Sequence, residues 1–401
     1  MLRRREAWFV AIVAFAVVGG AAYVGVSAQR PHPNMQVTQP SADGSILGAF
    51  TQTTATPGAT STATGTSTAV ASASPTIERT STPAAATPGA PTVAASVPPS
   101  TAPTAAPPPP ASGFIIFLDD EGVDRGGRVA VVSRADPGGK RGVTNTRCSR
   151  VYFAAGSGIC LAERGALAID NVGQILDSKL QVTGETQAGG IPSRARVNAS
   201  GRMAAMTLFV TGDNYAGVAF STRTFLVDTA SKRLMDNLEG YAFIKDGKTF
   251  INADFNVWGV TFTSDPNVFY ATLGTGNFHY LVRADISKRS AVVIDEGVEC
   301  PSLSPDGTRI AFKSRNADDH SWRLAVLDLA TMTHRYVSSE TRNFDDQAEW
   351  LDNNTLVYGV PADAFRHDIW AVASDGSSAP RLLIPHAFSP TVVRDNSGLS
   401  R

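Results

Sequence analysis

A chain of 401 residues with 35 basic and 36 acidic side chains is long enough for a large core, and its near-neutral balance gives no sign of the basic face that nucleic acid requires. Its three cysteines are too few for a disulfide-built scaffold. No His-Glu-x-x-His, Cys-x-x-Cys or Gly-x-Ser-x-Gly occurs, so the familiar zinc, dithiol and serine-hydrolase spacings are absent.

Residues 1–7 include Arg3, Arg4 and Arg5, and residues 8–26 then run for 19 positions without a charge. That length suits a membrane helix over 8–27, and the arginines would hold residues 1–7 in the cytoplasm and send the rest outward. Val26-Ser27-Ala28 resembles a signal-peptidase site, so cleavage and secretion is the competing reading. Residues 28–112 are dominated by Ala, Thr, Ser and Pro, cannot bury enough apolar surface to offset ordering, and read as a disordered linker. A relaxed coil of ~80 residues spans roughly 50 Å, enough to lift a domain off a membrane.

The rest, 113–395, reads as short strands, with a tail at 396–401. Phe114-Ile-Ile-Phe-Leu and Arg128-Val-Ala-Val-Val-Ser have no first strand ahead of them. Val151 to Leu161 turns at Gly156, with a third strand at Ala166-Leu-Ala-Ile-Asp170. Weaker still is Ala195 to Ala205, followed by Thr224-Phe-Leu-Val-Asp. Residues 236–256 are long for a connection, and Lys245-Asp-Gly-Lys-Thr-Phe-Ile reads as an extra hairpin or partial blade. Thr261 to Ala271 with Tyr280-Leu-Val-Arg-Ala-Asp, then Leu303-Ser-Pro-Asp-Gly-Thr-Arg-Ile-Ala-Phe with Trp322-Arg-Leu-Ala-Val-Leu-Asp, give the strongest copies. A shift of 46 places Leu303 to Phe312 over Glu349 to Tyr358, followed by Asp368-Ile-Trp-Ala-Val-Ala. Phe388-Ser-Pro-Thr-Val-Val begins like a first strand with nothing after it. Four strands recurring every 40–45 residues is the period of a β-propeller, and the orphan strands at the two ends would close its ring.

Ser304-Pro-Asp-Gly-Thr-Arg-Ile-Ala-Phe, followed by an apolar strand ending in Asp, resembles the WD40-like repeat of TolB-type propellers over about 114–393. The resemblance implies an all-β, six-bladed fold. TolB carries an α/β domain ahead of its propeller, and here the anchor and linker stand in its place.

First residues of inner strands ring one channel mouth, which makes Glu299, Asp345, Asp346, Gln347, Asp254 and Asn256 the candidate binding residues. Converging carboxylates would focus negative potential toward a cation or basic peptide; the plainer reading is that they shape loops through backbone hydrogen bonds. If they crowd one another, Asn at 345 and 346 should leave stability almost unchanged. Cys148 and Cys160, read as the first two strands of one blade, are a possible disulfide, although a turn at Gly156 sets Cys160 opposite Phe153. Cys300 reads as a buried packing residue, Trp322 and Trp350 as inter-blade filling, and Trp258 as a residue of either core or channel. The histidines lie singly, and no catalytic residue, metal site or cofactor is expected. The expected function is a membrane-anchored, extracytoplasmic, non-catalytic scaffold for a protein, peptide or cell-envelope component, without nucleic acid. The alternative is a propeller hydrolase or lyase with its site over the channel.

Overall fold

The computed structural model describes residues 112–120, 127–164, 171–187, 189–210, 221–316, 321–363 and 366–395. The apolar segment, residues 28–111 of the linker and the tail 396–401 lie outside them. Among the described residues no helix is long and apolar enough to cross a membrane.

The strands form six sheets, each one blade. Blade one combines β1 (Phe114–Asp119), β2 (Gly127–Ser133) and β3 (Gly142–Cys148) with the last strand, β26 (Ala387–Val393). Blade two is β4 (Arg150–Ala154), β5 (Ser157–Ala162), β6 (Val172–Leu176) and β7 (Val182–Gln187). Blade three is β8 (Ile191–Val197), β9 (Met203–Val210), β10 (Ser221–Asp228) and β11 (Arg233–Asn237). Blade four holds β14 (Asn256–Phe262), β15 (Val268–Thr275), β16 (Phe278–Asp285) and β17 (Ser290–Glu296), preceded in the chain by the hairpin β12 (Ala242–Lys245) and β13 (Lys248–Phe250). Blade five is β18 (Glu299–Leu303), β19 (Arg309–Arg315), β20 (Trp322–Asp328) and β21 (Thr333–Tyr336). Blade six is β22 (Glu349–Trp350), β23 (Thr355–Pro361), β24 (His367–Ala373) and β25 (Arg381–Ile384).

The ring closes between the chain's two ends. β26 pairs antiparallel with β1, Phe114 opposite Val393 and Asp119 opposite Ala387, so the last residues supply the innermost strand of the first blade. β1 is apolar at nearly every position because it is buried on both faces. Ile115 and Phe117 pack toward blade six with Ile369 and Leu383, while Ile116 and Leu118 pack toward blade two with Val151 and Phe153. An apolar cluster fills each of the six inter-blade spaces. Recurrent Asp at the third-strand end has a local cause: Asp228 accepts from the Ser231 amide at 2.7 Å and Asp328 from the Thr331 amide at 2.9 Å, fixing the turn to the outer strand.

Two local expectations change, the register of the Gly156 turn and the blade that holds Cys148. The third strand of blade two is β6, and the strand expected at 166–170 lies outside the described residues. The turn before β5 is centred on Ala155 and Gly156, both at positive φ (45° and 81°), so Cys160 faces Val151. Cys148 lies at the end of β3, the outer strand of blade one, and its disulfide to Cys160 on β5 therefore ties blade one to blade two, with Cα atoms 5.4 Å apart. The stretch 236–256 adds a hairpin: β12 runs parallel to β17 on the outside of blade four, with Asp246 and Gly247 at positive φ in its turn. Phe250 meets Phe255 and Tyr280 edge-on at 5.0 and 5.7 Å, pinning that hairpin to the sheet.

Candidate functional site along the central channel

The inner strands β26, β4, β8, β14, β18 and β22 surround a channel with two cavities and a narrow throat. At the mouth where inner strands begin, a cavity of about 350 Å³ lies against blades three to five and the 345 loop. The throat, beside Arg150, Arg194, Asp346 and Gln347, has room for about 20 Å³. At the mouth where inner strands end, a cavity of about 560 Å³ spreads over Tyr152, Arg196, Ser302, Glu349 and Arg394.

The first cavity gathers four of the six sequence-derived residues, Glu299, Asp345, Asp254 and Asn256. Their surroundings are not purely acidic. Arg194, only 7 % exposed, donates to the Asp345 backbone oxygen at 2.8 Å and to its carboxylate at 3.0 Å. Lys313, 3 % exposed, also reaches that carboxylate, and its ammonium lies 4.4 Å from the centre of the Trp322 ring. Partial loss of hydration at the channel mouth works against ionising Asp345, but Arg194 and Lys313 outweigh it and hold the carboxyl below its ordinary value. Asp254 is lowered as well, first by the Thr275 hydroxyl and then by the Gly276 amide at 2.7 Å. Asn256 accepts from the Thr222 amide at 2.6 Å and so joins blade four to blade three. Glu299 lies 2.7 Å from His279 Nδ1.

Asp346 and Gln347 sit in the throat and bond backbone. Asp346 accepts from the Gln347 and Gly359 amides at 3.0 and 2.9 Å, and Gln347 donates to the Pro301 oxygen at 2.7 Å. Below them a second ionic layer crosses the channel. Arg196 pairs with Glu349 and donates to Ser302 and the Ala348 oxygen, both at 3.0 Å. Tyr152 donates to Glu349 at 3.1 Å, and burial together with that carboxylate pushes its phenol up. Arg150 lies above Phe388 at 4.3 Å, and burial followed by the nearby Arg194 brings it down to about 10.

The acidic residues thus share the channel with four cations, Arg194 and Lys313 on Asp345, Arg150 in the throat and Arg196 on Glu349 below it, which the sequence reading passed over. Arg194 and Arg196 had a signal: they alternate along one inner strand, so both side chains turn to the same face. Lys313 had none, since it reaches the mouth from a second strand.

The tryptophans divide. Trp350 is fully buried and donates to the Ser302 oxygen at 2.8 Å, as inter-blade filling should. Trp322 departs from that role: it is only half-buried and, with Trp258, lines the first cavity. Trp258 rests on Gly274, where a Cβ would come within 2.5 Å of the indole, and meets His279 edge-on at 5.5 Å. Cys300 is buried and unbridged, with Gly259 so close that a Cβ there would lie 2.6 Å from the Cys300 Cα. No group of three metal-ligating side chains occurs among the described residues.

No protein-family model and no curated protein matches this chain. Solved structures do. TolB from Acinetobacter baumannii is 15% identical, with 71% of this chain and 68% of that one covered at a TM-score of 0.52. A putative TolB from Agrobacterium tumefaciens is 10% identical over 70% of this chain and 91% of that one, TM-score 0.44. A chain of a nidogen/laminin complex is 10% identical over 70% and 98%, TM-score 0.47. With the six sheets above, the first of these similarities shows the fold, a six-bladed β-propeller like that of TolB.

Proposed function

We propose that this chain is a non-catalytic binding propeller, held at the outer face of a membrane by residues 8–27 and docking a cell-envelope component over the mouth where its inner strands begin. The observation that carries the reading is the first cavity, about 350 Å³ with two half-buried tryptophans and polar groups fixed by protein partners. Side chains already locked by hydrogen bonds lose little freedom when a ligand arrives. Asp254, Asn256, Glu299 and Asp345 form the contact set, and Asp346 and Gln347 hold the loop that presents Asp345. The Cys148–Cys160 disulfide supports an oxidising location.

The test is a photo-crosslinking amino acid in the full-length chain, in living cells, at Asn256 or at Ser264, which lines the other cavity. Adducts to envelope material at 256 and none at 264 are expected. Adducts confined to 264, or none at either position, would refute the assignment.

A further inference from the structure

The first cavity also constrains the ligand's chemistry, an inference that rests on the docking reading above. Its acceptors are concentrated: Asp254, Glu299 and Asp345 supply carboxylates, Asn256 an amide, and Thr222 and Thr275 hydroxyls. Asp254 and Asp345 are held ionised by the partners already described, so they accept strongly at neutral pH. A ligand rich in O–H or N–H donors fits such a lining. A cationic ligand meets Arg194 and Lys313, buried beneath Asp345, and an anionic one meets the three carboxylates. The complement is therefore a neutral molecule carrying many donors.

The aromatic groups narrow the class. Trp258 is braced by Gly274 on one side and by the His279 ring at its edge, and still borders the cavity. Trp322 borders it from blade five, with Lys313 at 4.4 Å and Arg315 at 5.3 Å from its ring centre. A π-face carries negative potential and attracts polarised C–H groups. A pyranose combines such a C–H face with a rim of hydroxyl donors, whereas a peptide brings its own carbonyl acceptors toward fixed carboxylates. We propose that this cavity binds a neutral pyranose of a glycan chain, its C–H face against Trp258 and its hydroxyls donating to Asp254, Glu299 and Asp345.

The test applies full-length protein in detergent to a glycan array of neutral, N-acetylated and uronic pyranosides, followed by calorimetric titration of the best ligand. A neutral or N-acetylated glycan should bind saturably. Trp258→Ala should weaken it at least about tenfold, and Trp258→Phe should restore most of the affinity. Gly274→Ala keeps Trp258 but displaces the indole, and should weaken binding in a protein whose melting curve shows it folded. Arg283→Ala, at the opposite cavity, should bind like the parent. Binding of uronic glycans alone, or binding indifferent to both Trp258→Ala and Gly274→Ala, overturns the proposal. If no glycan binds while a crosslinker at Asn256 still captures an envelope protein, the saccharide inference falls and the docking reading stands. If that crosslinker is silent too, both fall.

Discussion

Asp345 shows how much a channel residue depends on its partners. Its side chain is 67 % exposed, yet it is the carboxylate for two cations, Arg194 and Lys313, that are 8 % and 4 % exposed. Crowded acids would gain from losing a charge; these cations would instead lose their counter-ion. Asp345→Asn is therefore expected to destabilise the fold by about 2 kcal/mol, less than the ~3–5 of a fully buried pair because the carboxylate faces solvent. Chemical denaturation checks this, and a neutral or stabilising result would show that the acids repel one another after all. Because the Asp345 carboxyl is depressed in the fold, its contribution is present above the ordinary carboxylate range and is lost as pH falls through its folded value.

Glu239 works in the opposite direction. Its carboxylate turns in between blades three and four, accepting from the Thr224 amide at 3.0 Å and the Val257 amide at 3.3 Å. Burial dominates these bonds and raises it from 4.5 to about 7. The folded state therefore holds this proton more tightly than the unfolded chain, and stability from this group falls as pH rises from about 4.5 to 7, by at most about 3 kcal/mol. Glu239→Gln should gain melting temperature over the parent as pH rises through that window. A difference that stays flat with pH would contradict the assignment.

At the level of elements, two devices join blade one to its neighbours. β26 completes its sheet from the far end of the chain, and the disulfide fastens β3 to β5. Deleting everything after Ile384 strips the inner strand and should lower the melting temperature of the whole ring, since β1 then presents an open edge. An unchanged melting temperature would mean that the ring draws nothing from this closure. Cys148→Ser should cost about 2–3 kcal/mol, the chain-entropy scale of so short a loop, and the variant should no longer respond to reductant. Parent-like stability in non-reducing buffer would show that the bond contributes little.

For the whole molecule, the fold was legible because its signal repeats. A strand-turn-strand unit, sharpest at Ser304-Pro-Asp-Gly, and a third strand ending in Asp recur along the chain, and orphan strands at 114 and 388 announce closure. Register was less legible: two-residue turning at Ala155-Gly156, with Ala155 at positive φ, moves Cys160 opposite Val151, and no composition rule requires that choice. The site was legible in part. Positional equivalence brought Glu299 and Asp345 to one mouth, but Lys313, His279 and Trp322 reach it from second and third strands, whose direction only the assembled ring defines. Arg194 and Arg196 were visible in principle through their alternation.

The most direct measurement on the whole account is protease applied to intact cells, followed by thiol labelling of what is released. The expected product is a folded fragment beginning within residues 28–112, in which Cys148 and Cys160 resist labelling until reduced and Cys300 reacts only on unfolding. A full-length chain protected inside the cell, with Cys148 and Cys160 both open to the reagent, would contradict the outward placement and the bridged ring together.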